Sequence, residues 1–338
     1  VMSGSYYLAD VFEYFEPLTS RIEEANYGEG MIAGLLEPGR AERSNGEIIG
    51  IPYGIDAYGL MVNNELLEQA GVEPNFETWE DVLAACAVIE EQLPDIACLS
   101  YPSAQPEQSP TFFIAIYDGT YINADGQYEL EADKAAAAAE VVGQIWGYLP
   151  PNGLALTFEE AGQIFMDGQS AMLATWPSFV STALDDPETS GVYGKWSQVP
   201  FPGKGFPWLS LWNLFVPKAS ENKDAAWQWI QAFAGEANAK EWYTKYGIGS
   251  VWQSTYEDEE LAAAHAHQWP ALVADFSRAK NPPLSGEAQD FLAATLIEIA
   301  TGQKSAEDGI AEVNEKWQTI PVPPAILEVA AGAGFQAQ

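Results

Sequence analysis

Short apolar runs alternating with amphipathic stretches predict an α/β protein, and a length of 338 residues predicts two lobes rather than one. Hydrophobic residues make up 47% of the chain, enough to bury a large core. Strands are expected at Ile49–Tyr53 and Tyr58–Val62, where β-branched and aromatic residues sit between turn formers. A helix over Trp79–Glu91 follows, with Thr78 as N-cap and Val82, Leu83, Cys86 and Ile89 on one apolar stripe. Ala97–Tyr101 reads as the next strand and the Pro-rich Tyr101–Pro110 as a loop. Ala135–Trp146 is a helix that Asp133 can start, and Ser170–Ala174 a strand. Asp185–Gly205 fits neither period and is read as a loop. Leu211–Val216 is the last strand expected. After it, Ser220 or Asn222 caps a helix whose inner face is Ala226, Trp229, Ile230 and Phe233, closed by Gly235. Glu287–Ile299 completes the series from Ser285. No internal repeat and no disordered linker interrupts it.

The charge excludes whole classes of partner. With 49 acidic and 14 basic residues the formal net charge is −35, spread without an acidic block. Nucleic acid and anionic membranes would be repelled, and four Arg and ten Lys are too few to line a phosphate groove. Uncharged, hydroxyl-rich or cationic ligands remain open, and the acidity suits a salty or acidic habitat. No apolar run reaches the length of a membrane span. The chain starts at Val1 with no signal peptide, so it reads as processed or incomplete. Cys86 and Cys98 are expected as two buried free thiols, with a helix-to-strand disulfide as the alternative in an oxidising compartment.

Signals for catalysis are weak. His265 and His267 are the only histidines, and without a nearby Cys or spaced carboxylate they read as helix-end residues rather than metal ligands. Gly247-Ile248-Gly249 lacks the third glycine of a dinucleotide fingerprint. Asn123-Ala124-Asp125-Gly126 resembles the middle of a calcium loop, but Tyr121 and Ala132 occupy its first and twelfth positions, so a turn between short strands is expected. Aromatics carry more. Of twelve Trp, several adjoin Gly, Pro or polar groups: Trp176, Trp208, Trp212 and Trp252. Flat rings pack on the C–H faces of a sugar while nearby polar groups satisfy its hydroxyls.

The order of motifs resembles a known family. EIIGIPY (Glu47–Tyr53), YGLMVNNELL (Tyr58–Leu67), GVEP (Gly71–Pro74) and TWEDV (Thr78–Val82) are followed by FMDGQSAM (Phe165–Met172) with Trp176. VPKASENKDAAW (Val216–Trp227) and GQKSAED (Gly302–Asp308) come next. From about Asp10 to Trp317 this series resembles the extracellular solute-binding proteins of ABC importers, family 1, the sugar-binding group. Relatives usually begin with a strand, helix and strand ahead of a segment like Val1–Pro17, a layered start of roughly sixty residues that this sequence does not contain. Where they commonly have two glycines before an aromatic, Ser210 and Leu211 precede Trp212, which narrows the pocket. Trp252 stands where many have an arginine.

The resemblance implies a type II periplasmic-binding-protein fold, two discontinuous α/β lobes joined by hinge crossings, with ligand held in the cleft. Residues 1–57 plus 212–262 would form lobe one and residues 58–211 plus 263–338 lobe two. The crossings are expected near Ile55–Leu60, Ser210–Leu214 and Glu260–Pro270. The expected function is capture of a small neutral carbohydrate or polyol for a membrane permease by a periplasmic or extracellular monomer without cofactor or catalysis. Trp176, Trp212 and Trp252, with Trp208 second, would stack on the ligand. Tyr53, Asp56, Tyr58 and Asn213 would give polar contacts at the hinge, and Tyr246 with Ser250 would line the other wall. A carbohydrate-active hydrolase using two carboxylates, or a receptor presenting its ligand to a sensor, are the alternatives.

Overall fold

Two larger β-sheets, beside a two-stranded ribbon of β2 and β3, organise the described chain, and the residues between the two larger sheets position the site. The computed structural model describes residues 2–3, 6–38 and 40–337. In chain order the strands are β1 (Met2–Ser3), β2 (Arg43–Ser44), β3 (Glu47–Ile48), β4 (Gly50–Ala57), β5 (Gly59–Asn63), β6 (Ala97–Ser100), β7 (Ser170–Thr175), β8 (Trp196–Val199) and β9 (Leu209–Phe215). Helices α1 (Thr19–Ala25), α2 (Asn64–Ala70), α3 (Trp79–Gln92), α4 (Pro110–Ile116), α5 (Ala132–Trp146), α6 (Phe158–Met166) and α7 (Pro177–Leu184) lie before β8. After β9 come α8 (Lys223–Phe233), α9 (Glu236–Tyr246), α10 (Gln253–Tyr256), α11 (Glu259–Ala264), α12 (Trp269–Arg278), α13 (Gly286–Ala300), α14 (Ala306–Trp317) and α15 (Pro324–Ala333).

Strands β1, β9 and β4 form an antiparallel sheet in that order. The second sheet runs β6-β7-β5-β8, parallel only between β6 and β7. All five residues of β5 are buried because β7 and β8 cover both its edges and a core lies on each face. Leu60 and Val62 enter one core and Met61 the other. The first sheet has its own core, in which Ile51, Ile55 and Leu211 meet Ile230, Leu272 and Phe276.

The chain passes between these two cores within a few residues at three places. Ala57 belongs to the core of the first sheet and Tyr58 to that of the second; Leu209 and Trp208 divide the same way, as do Ala279 and Leu284. These passages are bonded side by side. Tyr58 N–H donates to the Trp208 carbonyl at 3.0 Å, Leu209 N–H to the Lys280 carbonyl at 3.0 Å, and Lys280 N–H to the Pro207 carbonyl at 3.2 Å.

Most expected elements are present, and the exceptions have local causes. Thr78 caps α3 with a full capping box, its hydroxyl accepting from Asp81 N–H while the Asp81 carboxylate accepts from Thr78 N–H. The turn at residues 123–126 is also found: Gly126 has φ 80° and the Asn123 side chain accepts from Asp125 and Gln127 N–H. Asp185–Gly205, read as a loop, contains β8, whose order comes from pairing with β5 rather than from an apolar pattern of its own. In α8 the buried rim is Trp227 and Ile230, whereas Trp229 is 54% exposed and stacks on Phe233. Gly235 is the N-cap of α9, not the end of α8. Cys86 and Cys98 are joined in a disulfide that ties α3 to β6, not two free thiols.

Candidate ligand site between the lobes

The site begins with the register of β4 and β9. Ile55 pairs with Leu211 and Ala57 with Leu209, and all four face the core of the first sheet. Strand alternation puts the pairs between them, Gly54 with Trp212 and Asp56 with Ser210, on the opposite face. A bulge at Tyr53 shifts the register just before this point. Trp212 is half-buried and lies over Gly54: a Cβ there would come 2.5 Å from the indole. Gly249 is equally constrained. It bridges to Ile55, and a Cβ would lie 2.1 Å from the Ile55 carbonyl oxygen.

Asp56 reaches from this face to the start of α7, whose Val180 and Leu184 pack in a core with Met61 of β5. Its Oδ2 accepts from Ser178 N–H at 3.0 Å and its Oδ1 from Ala57 N–H at 2.9 Å. Ser178 follows Pro177 at the start of α7, where unbonded N–H groups and the helix dipole favour an anion. With 2% of its surface exposed, Asp56 is pushed up to about 7 by burial, and the hydrogen bonds from Ser178 and Ala57 oppose that shift.

A cavity of about 240 Å³ opens beside Asp56. One wall is a stripe of α7, Ser178, Ser181 and Thr182, ending in Asp185; the other is Tyr243, Thr244, Gly247 and Gly249 with His265, Gln268, Leu272 and Phe276. The spacing i, i+3, i+4, i+7 places the α7 groups on one face. Gln268 donates from Nε2 to the Ser181 hydroxyl at 2.6 Å across the cleft. Asp185 accepts from the Trp196 indole N–H at 3.0 Å, with His267 Nε2 at 3.2 Å and His265 Nδ1 at 3.9 Å. Burial pushes His265 down, against the pull of Asp185. Among the described residues no group of three or more His, Cys, Asp and Glu is arranged to hold a metal, and no helix is long and apolar enough to cross a membrane.

The residues singled out from the sequence separate into groups. Asp56 lines the cavity and Trp212 shares its face of the sheet. Tyr58, Trp176 and Trp208 form a buried cluster at the crossings, with ring centroids 4.6 Å and 6.0 Å from Trp176, whose N–H donates to Gln108 Oε1 at 3.0 Å. Asn213 is buried and donates to the Leu211 carbonyl. Tyr53 packs edge-on to Phe233 and Trp242, and Tyr246 is 62% exposed. Ser250 and Trp252 lie within the first core: Ser250 N–H donates to the Tyr256 hydroxyl, and the Trp252 indole to the Ala234 carbonyl at 2.9 Å. Ser178, Ser181, Asp185 and Gln268 were not anticipated. The Trp176-Pro177 step held a signal for the first of these, since proline at the first helical position announces a helix N-terminus.

A family model described as bacterial extracellular solute-binding protein matches residues 5–240. The chain belongs to that family. Solved structures agree on the fold. Maltose-bound MalE3 of T. maritima superposes with a TM-score of 0.78 at 20% identity, over 92% of this chain and 81% of that one. The sugar-binding protein MalE of the phytopathogen Xanthomonas citri gives 0.77 at 19%, over 94% and 80%. A solute-binding protein of Agrobacterium radiobacter K84 in complex with ribitol gives 0.75 at 19%, over 92% and 81%. This solute-binding protein therefore has the type II periplasmic-binding-protein fold, two lobes joined by hinge crossings. Its family consists of binding proteins rather than enzymes.

Proposed function

We propose that this chain is the substrate-binding component of an ABC importer, holding a small carbohydrate or polyol between its lobes and handing it to a membrane permease from the periplasmic or extracellular side. The observation that carries this is the cavity itself: hydroxyls, an amide and a buried carboxylate from both lobes converge on about 240 Å³, the scale of a small polyhydroxylated molecule. Similar folds hold maltose, ribitol and D-mannitol. An anionic ligand is disfavoured, since none of the described residues lining the cavity is Lys or Arg. The disulfide suits an oxidising compartment.

The lobes are proposed to divide at Ala57/Tyr58, at Trp208/Leu209 and between Ala279 and Leu284, the third later than the 260–270 expected from the sequence; the core memberships of these residues support this. Polar contacts along α7 support reversible closure, because such groups can exchange each other for water at small net cost. The test is small-angle scattering and thermal unfolding with a broad panel of sugars and polyols. Compaction and an upward thermal shift with one of them are expected; neither response from any ligand would sink the proposal.

A further inference from the structure

We propose that the ligand carries a protonated amine, so that the cavity beside Asp56 takes an amino sugar or amino polyol in preference to its hydroxyl analogue. This rests on the solute-binding reading and narrows it. One acceptor in the cavity wall lacks a donor. Gln268, 2% exposed, donates through Nε2 to the Ser181 hydroxyl. That hydroxyl gives its single proton to the Pro177 carbonyl at 2.8 Å, so it can only accept from Gln268, and the amide orientation is fixed. The Gln268 carbonyl oxygen is thereby left buried at the cavity wall without a partner. A buried acceptor without a donor is costly until a ligand supplies one.

Charge points the same way. Asp56 and Asp185 both line the cavity, and none of the described lining residues is Lys or Arg. Asp185 already faces His267 and Trp196. Asp56 accepts from the N–H groups of Ser178 and Ala57 and from the Ser178 side chain, and none of these partners is a cation. A carboxylate with two oxygens has room for further donors, and an ammonium group offers three with a compensating charge. A polyol hydroxyl could donate to the Gln268 oxygen as well, but it brings no charge to compensate Asp56.

The experiment is calorimetric titration at pH 7.5 with matched pairs: glucose and glucosamine, mannose and mannosamine, sorbitol and 1-amino-1-deoxysorbitol, within a wider sugar and polyol panel. The aminated member of a binding pair is expected to bind at least about tenfold more tightly. Asp56→Asn should abolish that preference, and Gln268→Leu should weaken the aminated ligand severalfold, both variants first shown to fold by thermal unfolding. Equal or tighter binding of the hydroxyl member would overturn the inference and leave the solute-binding reading standing. If no sugar or polyol binds in either form, both fall.

Discussion

The Asp56 carboxylate and the Ser178 backbone N–H, 3.0 Å apart, join strand β4 of the first sheet to the start of α7, whose buried residues pack with β5 of the second. Both residues line the cavity, so the group proposed to hold the ligand also ties β4 to α7. An opening that separated β4 from α7 would break this bond and let water reach a carboxylate whose protonation now depends on burial.

A pH dependence of stability follows. Burial raises both Asp56 and Asp275 to about 7, whereas in the unfolded chain each titrates near 4. Between those values the folded state keeps protons that the unfolded state releases, so stability falls as pH rises from about 4 to 7 and levels off above. The full effect for Asp56 is on the order of a few kcal/mol. Urea midpoints at pH 5 and pH 8 should show a smaller loss for Asp56→Asn than for the wild type. An equal loss would mean that Asp56 does not titrate in this window.

Trp212→Ala tests the aromatic face. The ring is half-buried over Gly54 rather than locked in a core, so the variant should fold. Affinity for the ligand found in the panel should drop at least about tenfold, roughly 1.4 kcal/mol. An unchanged Kd by calorimetry would remove Trp212 from the site.

Gly249→Ala should be far more damaging than its size suggests. A methyl group there would lie 2.1 Å from a backbone oxygen, in a bridge whose Ile55 N–H donates to the Gly249 carbonyl at 3.0 Å. Destabilisation above about 3 kcal/mol is expected, because backbone cannot swing aside as a side chain can. A urea midpoint within error of the wild type would show that the strands separate more easily than their bonding implies.

Reducing Cys86–Cys98 should cost about 2–4 kcal/mol, the usual range for a short closed loop. The thermal midpoint should fall on adding reductant, and the double Cys→Ala variant should be insensitive to it. A wild-type midpoint indifferent to reductant would show that packing of α3 on β6 already supplies the constraint.

The expected strands lay where apolar runs are bounded by turn residues, and β5 and β7 were legible for that reason. β8 was not, because its burial comes from a neighbour distant in sequence, and Gln198 and Ser197 break its apolar alternation. Asp56 lines the cavity because it alternates away from Ile55 and Ala57, which face the core. Ser178 and Gln268 were hidden, since only tertiary arrangement brings the ends of α7 and α12 together. Trp252 misled in the opposite sense. Gln253 beside it is polar, yet its ring is 7% exposed and packs edge-on to Tyr27.

The three crossings are bonded through Tyr58, Trp208, Leu209 and Lys280 into one narrow ribbon. Such a ribbon twists or bends about a line and resists shear, which leaves the lobes one easy degree of freedom. Displacement then grows with distance from the line, and a few degrees of rotation would move surface residues at the far rim by several times more than those beside Asp56. If a permease grips the rim, as proposed, it would read ligand occupancy as a change in spacing, amplified by a lever pivoting near the bonded segment at Trp208.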